Sequence, residues 1–120
     1  MAISYQYQIK GETLIVSAFG QDDSLDQVEN HSEEILHLAL ENNCTKILSD
    51  ERQLKYSISI IETFELGKLT ADKGKILEKI AIVCSVNDYE TAQFFENVSA
   101  NRGLNIFVTT YYDRAVEWLK

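Results

Sequence analysis

Between positions 46 and 65 the chain reads KILSDERQLKYSISIIETFE, a strand-like start followed by a run of chemically equipped side chains. Asp50, Arg52, Lys55 and Tyr56 supply a carboxylate, two cations and a phenol, and Ser57 and Ser59 add hydroxyls ahead of a helical pattern. Hydroxyls at a helix N-terminus stand beside free backbone amides and the positive end of the dipole, where an anion such as phosphate is attracted. The same serines have a plainer use. Ser59 with Glu62 spells a capping box, in which each side chain satisfies the other's backbone amide. Asn87, just past another strand, falls at the same end of the expected sheet, where open α/β folds bind ligands. These seven residues form the candidate ligand or regulatory site.

Other reactive residue types are present in patterns that exclude familiar chemistry. His31 and His37 fall in one predicted helix as HSEEILH, which lacks the H-E-x-x-H spacing of a zinc protease. Glu33, His37 and Glu41 are spaced i, i+4 and read as a solvated helix flank. Cys44 and Cys84 lie far apart, neither in a C-x-x-C pair nor beside a histidine. Cys84 sits in an apolar run and reads as a small buried hydrophobe, and Cys44 reads as structural. There is no G-x-S-x-G elbow, G-x-G-x-x-G turn or G-x-x-x-x-G-K loop. The expectation is a protein without catalytic residues, metal or cofactor. An enzyme would instead show a deep pocket with converging carboxylates of perturbed pKa.

The 120 residues suit one domain, 1–120, with 45% hydrophobic and 25% charged residues. Net charge is −8, and Asp22, Asp23, Asp26, Glu29, Glu33, Glu34 and Glu41 crowd into or just before one helix lacking Lys and Arg. That balance argues against nucleic acid and anionic membrane surfaces, which need clustered cations, and favours a protein partner docking on the acidic helix. No apolar run reaches the length of a membrane span, and no leader pattern precedes the first strand; a cytoplasmic location is expected.

The elements that must position these groups follow from periodicity. Ile3, Tyr5, Tyr7 and Ile9 alternate with polar residues, Lys10-Gly11-Glu12 turns the chain, and Thr13–Phe19 pairs back as a hairpin ending at Gly20. A helix opens at Ser24, with Gln27 completing a capping box, and stops at Asn42-Asn43. Lys46–Ser49 is a short third strand followed by a charged loop. The second helix runs from Ser57 or Ser59 to about Lys73 with Ile60, Ile61, Phe64 and Leu69 inward, and Gly67 within it marks close packing. Lys79–Val86 is apolar at successive positions, as in a parallel strand buried on both faces. Asn87 or Asp88 caps a third helix, Arg102-Gly103 ends it, Leu104–Thr109 is the fifth strand, and a last helix buries Ala115, Val116 and Leu119. The order β-β-α-β-α-β-α-β-α predicts an α/β fold with a mainly parallel five-stranded mixed sheet and an antiparallel first edge strand.

KILSDERQLKYSIS, KIAIVCS and the ending ANRGLNIFVTTYYDRAVEWL together resemble the SpoIIAA-like family, the STAS/SEC14-like small α/β domains of bacteria. The resemblance implies a non-catalytic regulatory or protein-binding role, as in anti-sigma-factor antagonists. Those proteins carry a phosphorylated serine at the start of the second helix, a position filled here by Tyr56-Ser57-Ile58-Ser59. Their Asp-Ser and nearby Gly are not present. The SEC14-like relatives imply the alternative, a carrier of a small apolar or lipid-like ligand. Self-association has two open surfaces, the edge of the first strand and the Tyr111-Tyr112 face.

Overall fold

Gly11 turns the first hairpin with φ of 63°, at the first loop position where a two-residue II′ turn places positive φ. It joins β1 (Ile3–Lys10) to β2 (Thr13–Asp22), antiparallel, with Lys10 opposite Thr13. The computed structural model describes residues Ile3–Lys120. Three parallel strands follow, β3 (Lys46–Tyr56), β4 (Lys79–Cys84) and β5 (Ile106–Thr109). Among the described residues they form one five-stranded sheet in the order β1-β2-β3-β4-β5, with the antiparallel β1 at the edge as expected.

Four helices complete the chain: α1 (Leu25–Glu41), α2 (Ile60–Gly74), α3 (Tyr89–Asn101) and α4 (Tyr112–Leu119). Successive strand residues point to opposite faces, so Ile47, Ile80 and Ile82 pack with Ile35, Ala71 and Ala92 of α1, α2 and α3. Leu48, Ala81 and Val83 pack with Ala115 and Leu119 of α4. The apolar run of β4 is therefore buried on both sides. The sheet has three helices on one face and a single helix on the other.

Several boundaries differ from expectation. Strand β2 continues past Gly20 to Asp22, and β3 continues past Ser49 to Tyr56. The supposed charged loop is strand. It pairs with β4 only as far as Glu51, and beyond that with β2 alone, so its polar side chains have open space on one side. A bulge lies in this stretch, because Asp50 to Gln53 spans three steps while its partners Ser17 to Phe19 span two. Ser24 does accept the Gln27 amide, but the Gln27 side chain reaches the Asp23 amide rather than that of Ser24. Of the two expected caps of α3, Asp88 holds the N-cap position, without a side-chain bond, and Asn87 is exposed in a 3₁₀ turn, Val86–Asp88, capped by Ser85. Strand β5 begins only at Ile106, and Val116 of α4 is 38% exposed.

Helix α2 is rotated relative to the expected phase. Its buried face is Thr63, Leu66, Gly67, Ala71 and Gly74, while Ile60, Ile61 and Phe64 are exposed at 60%, 72% and 39%. The small residues decide this, because they let α2 approach its neighbours. A Cβ on Gly67 would stand 2.8 Å from Val98 Cγ1 of α3, and one on Gly74 would stand 3.0 Å from Leu104. Gly67→Ala therefore gains helix propensity worth about 1 kcal/mol yet is expected to destabilise the protein by about 1–3 kcal/mol through overpacking. Urea unfolding checks this, and adding Val98→Ala is expected to recover part of the loss.

Candidate functional site: a cavity with an acidic end

Helices α1 and α2 do not close over the sheet completely. Between them and the sheet lies a cavity of about 160 Å³, walled largely by apolar side chains including Val28, Leu36, Ile47, Leu54, Leu66 and Ile82. Half-exposed Glu33 of α1 and Lys73 of α2 form an ion pair on its solvent side. One end of the cavity is polar. It is built where β2 and β3 run on past their expected ends.

Ser49 and Glu51 share a face of β3 with Ile47, which turns them toward the cavity. The bulge that follows changes the phase, so Leu54 and Tyr56 return to the same lining. Ser49 Oγ donates to Glu51 Oε2 at 2.8 Å, and Tyr56 OH donates to Glu51 Oε1. Asp22, 4% exposed at the end of β2, accepts the Ser57 backbone N–H. The Tyr56 N–H donates to Asp88 Oδ2 at 3.3 Å. His31 of α1 lines the same cavity and stands edge-on to Tyr5 with centroids 5.4 Å apart. His37, by contrast, is on the solvated flank, paired with Glu41 at 3.6 Å.

Burial governs the protonation of this cluster. Desolvation pushes the Glu51 carboxyl above the usual range against the hydrogen bonds from Tyr56 and Ser49, with the nearby charges of Asp22 and Asp50 adding to the rise. Asp22 is raised for the same first reason, despite its hydrogen bonds with Ser57. Burial and the Glu51 charge raise the Tyr56 phenol well above normal, and burial with Glu51 pushes the Cys84 thiol up to about 11. Desolvation lowers His31. Among the described residues, no group of three or more His, Cys, Asp or Glu is placed to hold a metal ion.

The seven residues singled out from the sequence are dispersed. Tyr56 lines the cavity. Ser57 is beside it, its Oγ accepting from Gln21 Nε2 at 2.7 Å. Ser59 completes the capping box with Glu62. Asp50 and Arg52 belong to a different environment: Arg52 grips Asp50 through two side-chain bonds of 2.8 and 2.7 Å and lies over Tyr112, 5.4 Å from its ring centroid. Burial opposes Asp50 ionisation, but the Arg52 bonds outweigh it and hold the carboxyl below its usual value. Lys55 and Asn87 are exposed and do not line the cavity. Asp22, His31, Ser49 and Glu51 were not in the set. The alternation Ile47, Ser49, Glu51 is the signal that places the last two on an inward face, once the strand is read as long enough.

Solved structures with the same architecture are known. The chain is similar to an uncharacterised DUF3478-family protein with a SpoIIAA-like fold from Shewanella loihica PV-4, with a TM-score of 0.62 at 19% identity, covering 99% of this chain and 94% of that one. It is also similar to the anti-sigma factor antagonist SpoIIAA in its unphosphorylated form, with a TM-score of 0.57 at 16% identity, covering 97% and 96% of the two chains. A third likeness is to the phosphorylated Bacillus cell fate determinant SpoIIAA, with a TM-score of 0.51 at 13% identity, covering 98% and 100%. No protein-family model matches the chain, and no curated protein does. The fold is SpoIIAA-like, as the sequence resemblance implied.

The raised acids make a pH prediction. A carboxyl with a raised folded pKa holds more protons folded than unfolded, so stability is fullest below the unfolded pKa, about 4.3 for Glu, and falls as pH rises through the folded value. Glu51→Gln keeps an acceptor for Tyr56 and cannot ionise. Its urea midpoint is expected to exceed the wild type's at pH 8, with that advantage shrinking as pH falls toward 4. Parallel profiles for the two proteins would contradict the assignment.

Proposed function

We propose that this protein is a small regulatory domain that works by recognition, docking a partner protein in the cytoplasm through the rim at the C-terminal ends of β3 and β4. The observation that supports this most is the exposed apolar start of α2. Ile60, Ile61 and Phe64 follow β3, and Val86, 81% exposed, follows β4 at the same end of the sheet. Exposed large apolar side chains gathered in one region mark interaction surfaces. Anti-sigma factor antagonist activity in a structure of the same fold is consistent with this role.

The acidic helix contributes less to docking than its composition suggests. Asp22 is buried at the end of β2, Glu29 lines the cavity, and Glu33 is held by Lys73. Phosphorylation of Ser57 is not part of the proposal. A phosphate there would stand beside Asp22, which the Ser57 amide already contacts, and like charges repel.

A second reading is favoured by one specific observation, the cavity. Its apolar walls suit a small apolar ligand, and its volume sets the size far below that of a lipid with full-length chains. Converging carboxyls are a feature that an enzyme would share. Here both already accept internal hydrogen bonds, Glu51 from Ser49 and Tyr56 and Asp22 from the Ser57 amide, which fits a structural and recognition role.

Partner capture from a lysate of the source cells, followed by titration of the recovered protein, tests the docking surface. Ile61→Asp and Val86→Asp are each expected to weaken binding by about tenfold or more, in line with the 1–2 kcal/mol typical of a contributing interface residue, with unfolding midpoints unchanged. Wild-type affinity in both, with loss on Glu34→Lys in α1, would move the surface to the acidic helix.

A further inference from the structure

The occupant of the cavity can be narrowed from what lines it, an inference that rests on the second reading above. The charged residues facing it are Asp22, Glu29, Glu33 and Glu51 against Lys73 and His31, and Lys73 is committed to Glu33 on the solvent side. Among the described residues no arginine lines it. The acidic groups are not gathered at random. Glu51 and Asp22 are supplied by β3 and β2 together, and most of the remaining lining is apolar.

We propose that the cavity binds a small organic cation, a primary amine on an apolar body of about six to nine heavy atoms, with the ammonium directed to Glu51 and the hydrocarbon against Leu54, Leu66 and Ile82. Size follows from volume, since cavities of about 150 Å³ hold a benzene-sized guest. Orientation follows from charge: an ammonium has three donors and no acceptor, and the polar end offers carboxyl oxygens. An anionic ligand would meet carboxyls without a free cation to receive it. A neutral apolar molecule would fill the walls but leave the acidic end without a charged partner.

Titration of the 120-residue chain with n-hexylamine, n-hexanol and hexanoate, followed by amide NMR shifts, separates these cases. Hexylamine is expected to bind about tenfold or more tightly than hexanol, as charge-assisted hydrogen bonds exceed neutral ones, with hexanoate weakest, and to shift amides of β3 and α2. In Glu51→Gln the amine is expected to lose about tenfold while hexanol is unchanged. Equal binding of amine and alcohol to the wild type would overturn the cation assignment while leaving an apolar ligand site standing. Absence of binding by all three probes would overturn both. The wild-type comparison decides even if the variant folds poorly.

Discussion

The continuation of β3 beyond its last pairing with β4 is the constraint on which the rest of this structure depends. Up to Glu51 the strand is held on both sides, and from there to Tyr56 it is held by β2 alone. A bulge in that second half lets Glu51, Leu54 and Tyr56 all face the helices, which a regular strand could not do with period-two alternation. Without the bulge, either Glu51 or Tyr56 would point to the opposite face. Their hydrogen bond, and with it the polar end of the cavity, exists because the strand is irregular there.

The helices answer the same constraint from above. Helix α2 packs closely because Gly67 admits Val98 of α3 and Gly74 admits Leu104 and, from β4, Ile80. That choice of face leaves α2 joined to α1 across the cavity by the Glu33–Lys73 pair, and leaves the apolar first turn of α2 exposed. One small-residue stripe thus produces two surfaces suited to recognition: an internal one for a small molecule and an external one at the rim for a protein. Exposed ion pairs contribute little to stability, so the α1–α2 gap rests mainly on how each helix packs on the sheet.

Much of the fold was legible in the sequence. The unbroken apolar run of β4 announced burial on both faces, and Gly11 and Gly103 take the positive φ expected of a hairpin turn and a helix stop. The site was less legible, for two physical reasons. DERQLK has the composition of a loop, and its strand character comes from pairing with β2, a non-local interaction that local pattern does not encode. The bulge then breaks the alternation that would have revealed Leu54 and Tyr56 as inward. In α2 the large apolar residues suggest one buried face, whereas Gly67 and Gly74, seven residues apart with Ala71 between, mark the true one. Residues chosen for their chemistry, Asp50 and Arg52, proved to be satisfied by each other.

Strand β3 carries a desolvated carboxyl into a cavity suited to recognition. The most direct measurement is a carbon-13 NMR titration of the Glu51 side-chain carboxyl in the 120-residue chain. The expected midpoint lies above the ordinary glutamate value of about 4.3, with coincident shifts in the Tyr56 ring. A midpoint at or below that value would contradict this, because it would place Glu51 in water rather than among the buried groups that line the cavity.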